Sequence, residues 1–118
     1  MAKLGSFKPD GLIAGDFPTE AQEIRISGPA EFKRGDVIAL NNNANYVLAR
    51  SSANDGSQRA IGIICDDITV ASGSTAVGVM YIKGEFNQRF LRFAGNDTAD
   101  MHLRRMTEIG LIIRPTRI

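Results

Sequence analysis

From Ala21 onward the chain alternates between apolar and polar residues, the pattern of strands with one wet face. EIRIS puts Ile24 and Ile26 on one side and charged residues on the other. Val37–Leu40 and Tyr46–Ala49, joined by the polar loop NNNAN, predict a hairpin, since asparagine tolerates the left-handed backbone such loops need. RSSANDGSQ reads as a longer surface loop. AIGIICDDI is apolar almost throughout, which fits a strand covered on both faces. VASGS predicts a turn, and TAVGVMYIK a strand with Val77, Val79 and Tyr81 on one side. Tyr81–Phe90, YIKGEFNQRF, reads as two half-buried strands around a Gly-Glu-Phe-Asn corner, Gly84 to Asn87, with the large ring of Phe86 set inside it.

The period changes once. AGNDTADMHLRRMTEIG predicts the one helix, capped by Asn96 or Asp97, with Asp100 placed favourably against the helix dipole. Ala99, Leu103, Met106 and Gly110 form its stripe, with His102 and Ile109 on the flank, and Gly110 ends it. LIIRP closes the chain as a last strand. The fold class is α+β, dominated by β: a compact mixed-sheet or barrel-like domain over residues 21–118 with one C-terminal helix.

Residues 1–20 differ. Gly5, Gly11, Gly15, Pro9 and Pro18 oppose regular structure, yet Leu4, Phe7, Leu12, Ile13 and Phe17 are more apolar than a disordered tail should be. Two readings stand: an extended arm that awaits a surface, or a segment that packs on its own domain.

Composition narrows the function. A chain of 118 residues is one domain, long enough to hide roughly two thirds of its unfolded surface. The net charge of +1 gives no electrostatic reason to bind nucleic acid or acidic lipid. No segment approaches the ~20 apolar residues of a membrane span, and MAKLGSFKPD has no apolar run of signal-peptide length. A soluble chain made in the cytoplasm is expected. Cys65, the single cysteine, excludes a disulfide framework and reads as a buried, inert thiol.

Candidate chemistry is thin. His102 is the sole histidine and has no Glu-x-x-His pairing, so it reads as a boundary residue of the helix rather than a base or ligand. Asp66 and Asp67 are neighbours on a strand end and point to opposite faces, which suits solvated acids better than a cation site. Arg34-Gly35-Asp36 matches an adhesion signal by letters, and a turn explains it. Arg104, Arg105, Arg114 and Arg117 lack the interleaved aromatics that base stacking needs. No catalytic, metal or cofactor set emerges, and packing is the expected chemistry.

The order of these elements carries a resemblance. LIAGDFP, FKRGDVIAL, AIGIICDDI, VASGSTAVGVMYIKG, the Gly84–Asn87 corner, the helix and the final Gly110-Leu111-Ile112-Ile113 strand together resemble the bacteriophage lambda head decoration protein family over nearly the whole chain. That resemblance implies a β-tulip-like domain on the outer surface of the expanded capsid, bound as homotrimers at threefold and quasi-threefold sites, reinforcing the shell against packaged DNA. It implies the major capsid protein as partner, with the arm (Leu4, Phe7, Pro9, Leu12, Ile13) adding a short strand to a capsid sheet edge. Pro9-Asp10-Gly11 splits those residues, so the pairing half lies before or after the break. Phe86 would seal the sheet against the helical lobe or anchor a subunit interface. Phe7 and Leu12 would both be replaceable by serine without harm to the fold. The rivals are a small-ligand or glycan-binding β module, for which Tyr46 and Tyr81 are scant aromatic material, a nucleotide-type hydrolase, for which paired acids are missing, and another phage head or tail structural protein.

Overall fold

A computed structural model describes residues 12–14 and 18–115. Leu4, Phe7 and Pro9 lie outside those residues. The elements run β1 (Glu20–Ser27), β2 (Ala30–Phe32), β3 (Val37–Leu40), β4 (Tyr46–Leu48), β5 (Ala60–Ile64), β6 (Ile68–Val70), β7 (Thr75–Asn87), a 3-10 turn (Gln88–Phe90), α1 (Ala99–Glu108) and β8 (Leu111–Arg114). The main sheet has the order β1-β7-β5-β3-β4, with β8 also paired to β7, and β2 and β6 form a second sheet of their own. The main sheet is open rather than closed into a barrel, because β1 and β4 are each paired on one side only.

The central strands bury both faces, as the unbroken apolar run of β5 requires. Val37, Ile63 and Tyr81 stand opposite one another across three strands and enter a first core with Ala39, Cys65, Met106 and Leu111. Ile38, Ile64 and Met80 turn the other way and join Ile24, Ile26, Phe32 and Val70 in a second core. The first core is closed by α1 and β8, the second by the β2–β6 pair. The predicted hairpin forms, with Ile38 opposite Leu48 and Leu40 opposite Tyr46.

Three expectations change. AIGIICDDI is a strand only to Ile64. The chain turns at Asp66–Asp67, and Ile68–Val70 runs antiparallel to Ala30–Phe32. Segments of three residues are too short to show a period, and β2 and β6, unlike β4, have no neighbour joined by a short turn to pair with, so neither was readable. The helix begins after Thr98, whose side chain makes no capping bond, and neither Asn96 nor Asp97 is the cap. The buried stripe is Ala99, His102 and Met106, while Leu103 is 42% exposed. His102 therefore lies inside the structure rather than on the helix boundary.

Asp97 explains the rotation. Its carboxylate lies 2.7 Å from His102 Nε2 and accepts bonds from the Ser51 N–H and hydroxyl, tying the loop after β4 to the start of α1. The His102 ring, 1% exposed, stacks on Phe93 at 4.6 Å with the planes 4° apart. A buried histidine needs a hydrogen-bonding partner, and Asp97 supplies it, which draws His102 inward in place of Leu103. At the other end Gly110 adopts φ 96° and terminates the helix, and Arg105 Nε donates to Ala60 O at 3.0 Å.

Burial raises the Asp97 pKa, but the Ser51 and His102 bonds outweigh it and hold the carboxyl below its ordinary value of 3.8. A depressed carboxylate stabilises the fold above its unfolded pKa and loses that contribution as pH falls through the folded one. Asp97→Asn should therefore cost about 1–3 kcal/mol near neutral pH. In thermal melts against pH, the variant and the parent should converge on the acid side.

Candidate functional site

Of the predicted site residues, the structure gathers Leu12, Ile13 and Gly84–Asn87 around the C-terminal half of β7. There is no corner at Gly84–Asn87. Strand pairing continues through these residues to Asn87 and gives way to the 3-10 turn, so Gln88–Phe90 is not a second strand. The irregularity lies just before. Ala21 pairs with Tyr81 and Glu20 with Lys83, which leaves Ile82 as an extra residue, a β-bulge. One extra residue shifts the alternation by one. Tyr81 and Phe86, five positions apart, would face opposite sides of a regular strand. With the bulge both enter the first core, with ring centroids 5.3 Å apart and planes at 48°.

Phe86 is fully buried, so it takes the internal place of the two open to it. Gly84 is needed beside it. Its φ of 146° lies where side chains rarely go, and a Cβ there would sit 2.6 Å from Thr19 Cγ2 and 2.9 Å from Phe86 Cζ. Glu85 faces Arg114 of β8, with Oε2 and Nη2 3.1 Å apart. Asn87 N–H donates to Leu12 O at 2.8 Å.

That last bond belongs to the root of the N-terminal arm. Leu12–Ala14 lies along the same edge of β7 that β1 occupies further on, with Ala14 N–H donating to Glu85 O at 2.9 Å and Ile13 bridged to Phe86. β8 pairs in parallel on the opposite edge, from Gly84–Leu111 to Asn87–Arg114. Leu12 is 1% exposed inside the first core, and Ile13 packs against it. For this stretch the domain itself is the surface, and Leu12 cannot be changed to serine without harm to the fold.

The other motifs are structural. Arg34, half-buried, donates to Cys65 O at 2.9 Å and to the Tyr81 hydroxyl at 3.0 Å. Burial raises the pKa of that phenol, which stays protonated. Asp36 is 1% exposed, accepts from Lys33 N–H at 2.8 Å and pairs with Arg92 Nε at 2.8 Å. An adhesion tripeptide has to present both charges outward, and this one does not. Asp67 accepts from Arg34 N–H at 2.8 Å. Among the described residues no group of three or more His, Cys, Asp or Glu could hold a metal. A broad cleft of about 500 Å³ runs between β2 and β4, lined by Glu31, Phe32, Tyr46, Leu48 and Arg50. Asp55 on its rim is engaged by the Ser57 hydroxyl and N–H, which hold its carboxyl below the ordinary value.

The bulge geometry makes a sharp stability prediction. Phe86→Ala should cost about 3–5 kcal/mol and Leu12→Ala about 2–5 kcal/mol, as large-to-small changes in a packed core do. Gly84→Ala should cost at least the ~1–3 kcal/mol of a side chain held at positive φ. Urea titration of the three variants checks this, and parent-like midpoints would contradict the packing described here.

Comparison with curated proteins gives no significant match. A family comparison does: the model for bacteriophage lambda head decoration protein D matches residues 6–107. This span runs from the arm through the bulged β7 to nearly the end of α1. The β-dominated fold agrees with it, and the chain belongs to the bacteriophage lambda head decoration protein D family, the structural proteins that decorate phage heads.

Proposed function

We propose that this chain binds the outside of the expanded head as homotrimers at threefold and quasi-threefold sites, contacts the major capsid protein through its arm, and stabilises the shell against packaged DNA. Family membership supports the capsid role. The observation that carries the finer reading is the anchoring of Leu12–Ala14 on β7. Everything before Leu12 is joined to the domain at a fixed point in its core. Leu4, Phe7 and Pro9 are then the capsid-contacting residues, in an extended segment that adds to a capsid sheet edge. Leu12 and Ile13 belong to the domain, which supports a pairing half that lies before Pro9-Asp10-Gly11.

The mechanism is avidity joined to mass action. One short arm offers little area beside the roughly 1,200–2,000 Å² of a stable interface. Arms linked in one trimer bind at high effective concentration, with a gain of ~10²–10⁴ in apparent affinity. A ligand that binds only the expanded shell stabilises that state.

The test is co-sedimentation with heads that lack this protein, expanded and unexpanded. Saturable binding to expanded heads alone, at one trimer per threefold site, is the expected result. The double change Leu4→Ser and Phe7→Ser should abolish it with no change in melting temperature. Undiminished binding by that variant would remove residues 1–11 from the mechanism. Failure of the parent chain to bind either form would overturn the reading and direct attention to the cleft between β2 and β4.

A further inference from the structure

β1 is the longest sheet edge that the described residues leave unpaired: eight residues, bonded to β7 on one side only. The register determines which of its main-chain groups face outward. Cys65 N–H donates to Val79 O at 2.9 Å, so Val79 turns its main chain toward β5, and by alternation Gly78 and Met80 turn theirs toward β1. Their partners Ile24 and Gln22 bond to β7, as does Gly28, whose N–H donates to Ser74 O at 2.8 Å. The N–H and C=O groups of Glu23, Arg25 and Ser27 therefore point away from the sheet. The side chains of Glu23 and Arg25 are exposed on one face beside Val77, itself 56% exposed, and neither makes an ion pair among the described residues. A shallow depression lined by Glu23, Ile24, Arg25 and Val77 runs along this edge.

We infer that β1 pairs antiparallel with β1 of a second copy about a two-fold axis at Ile24, so that the sheet continues through the contact. The charge pattern selects both the occupant and the register. Outward groups on odd-numbered residues allow three central registers. Two of them set Glu23 against the second copy's Glu23, or Arg25 against the second copy's Arg25, and like charges directly opposite are destabilising. The third sets Glu23 against the second copy's Arg25 on both sides of the axis, with Ala21 opposite Ser27. Each row across the joined sheet then reads Val77, Arg25, the second copy's Glu23 and the second copy's Val79. The valines flank the ion pair and shield it from water. An unrelated strand has no need of a charge pattern that is self-complementary about Ile24, whereas a second copy matches it automatically. The same charges penalise every neighbouring register, a use of edge charges that native sheets commonly make. This contact is two-fold and so separate from any threefold assembly. Where the chain trimerises, it joins two trimers.

Sedimentation velocity of the full chain tests it. Glu23→Arg and Arg25→Glu each place like charges opposite one another in a self-pair, and each is expected to sediment at half the parent mass. Mixed in equal amounts, the two variants present opposite charges to each other, and the doubled mass should return. The double variant E23R/R25E keeps the pattern complementary and should match the parent. All these side chains are exposed, so circular dichroism melts should be unchanged. Equal masses for the parent and both single variants, or a mixture that does not recover the doubled mass, would overturn the inference and leave the charges as guards against edge pairing. Head binding is read in a separate assay, so failure here is distinguishable from failure of the decoration role.

Discussion

Every part of the molecule leans on β7 and on the one residue by which it departs from regular pairing. The strand spans thirteen residues and takes β1 and the arm root on one edge, β5 and then β8 on the other. Its first half presents Tyr81 to the first core and Met80 to the second. Past the extra residue at Ile82 the alternation is inverted, and Phe86 joins Tyr81 on the same side. Without that shift Phe86 would leave the core that Leu12, Leu111 and Met106 share with it. The arm root, the C-terminal strand and the helix would then lose their common contact. Gly84 is the local cost of the arrangement, a backbone conformation and a clearance that a side chain would not tolerate.

Polar groups hold the connections that apolar packing leaves loose. Arg34 binds the turn after β2 to Cys65 and Tyr81, Asp36 joins Lys33 to Arg92, and Asp97 joins Ser51 to His102. Each ties a loop to a segment distant in sequence. Each also takes up a side chain that by type alone would pass for functional: the adhesion-like tripeptide and the single histidine are both structural. Among the described residues the outward surface combines mixed charge, the apolar side chains of Leu40, Val77, Met101 and Leu103, and the main-chain edge of β1.

For a head decoration protein this division has a physical logic. The domain is cross-braced through one strand and anchors the arm at its root. A load on the residues before Leu12 would pass into the first core through the hydrogen bonds to Glu85 and Asn87, not through a flexible linker.

By itself the sequence determined the elements that were long enough to show a period or were joined to such an element by a recognisable turn. β1, the β3–β4 hairpin, β5, the body of β7, the helix and β8 were all legible, because strand and helix periods are local properties of the chain. The ordered succession of motifs was enough to identify the family. Only the tertiary structure decided the rest. β2 and β6 are too short for a period and exist because the second core needs a cover. The apparent corner at Gly84–Asn87 is the far side of a bulge, which pairing with β1 creates and no local pattern marks. His102 replaced Leu103 in the buried stripe because Asp97 and Phe93 were there to receive it. Leu12 left the arm for the core because the edge of β7 was open beside it. Only for His102 are the partners near, five and nine residues back; in the other cases the deciding partner lies far along the chain, out of reach of any local reading.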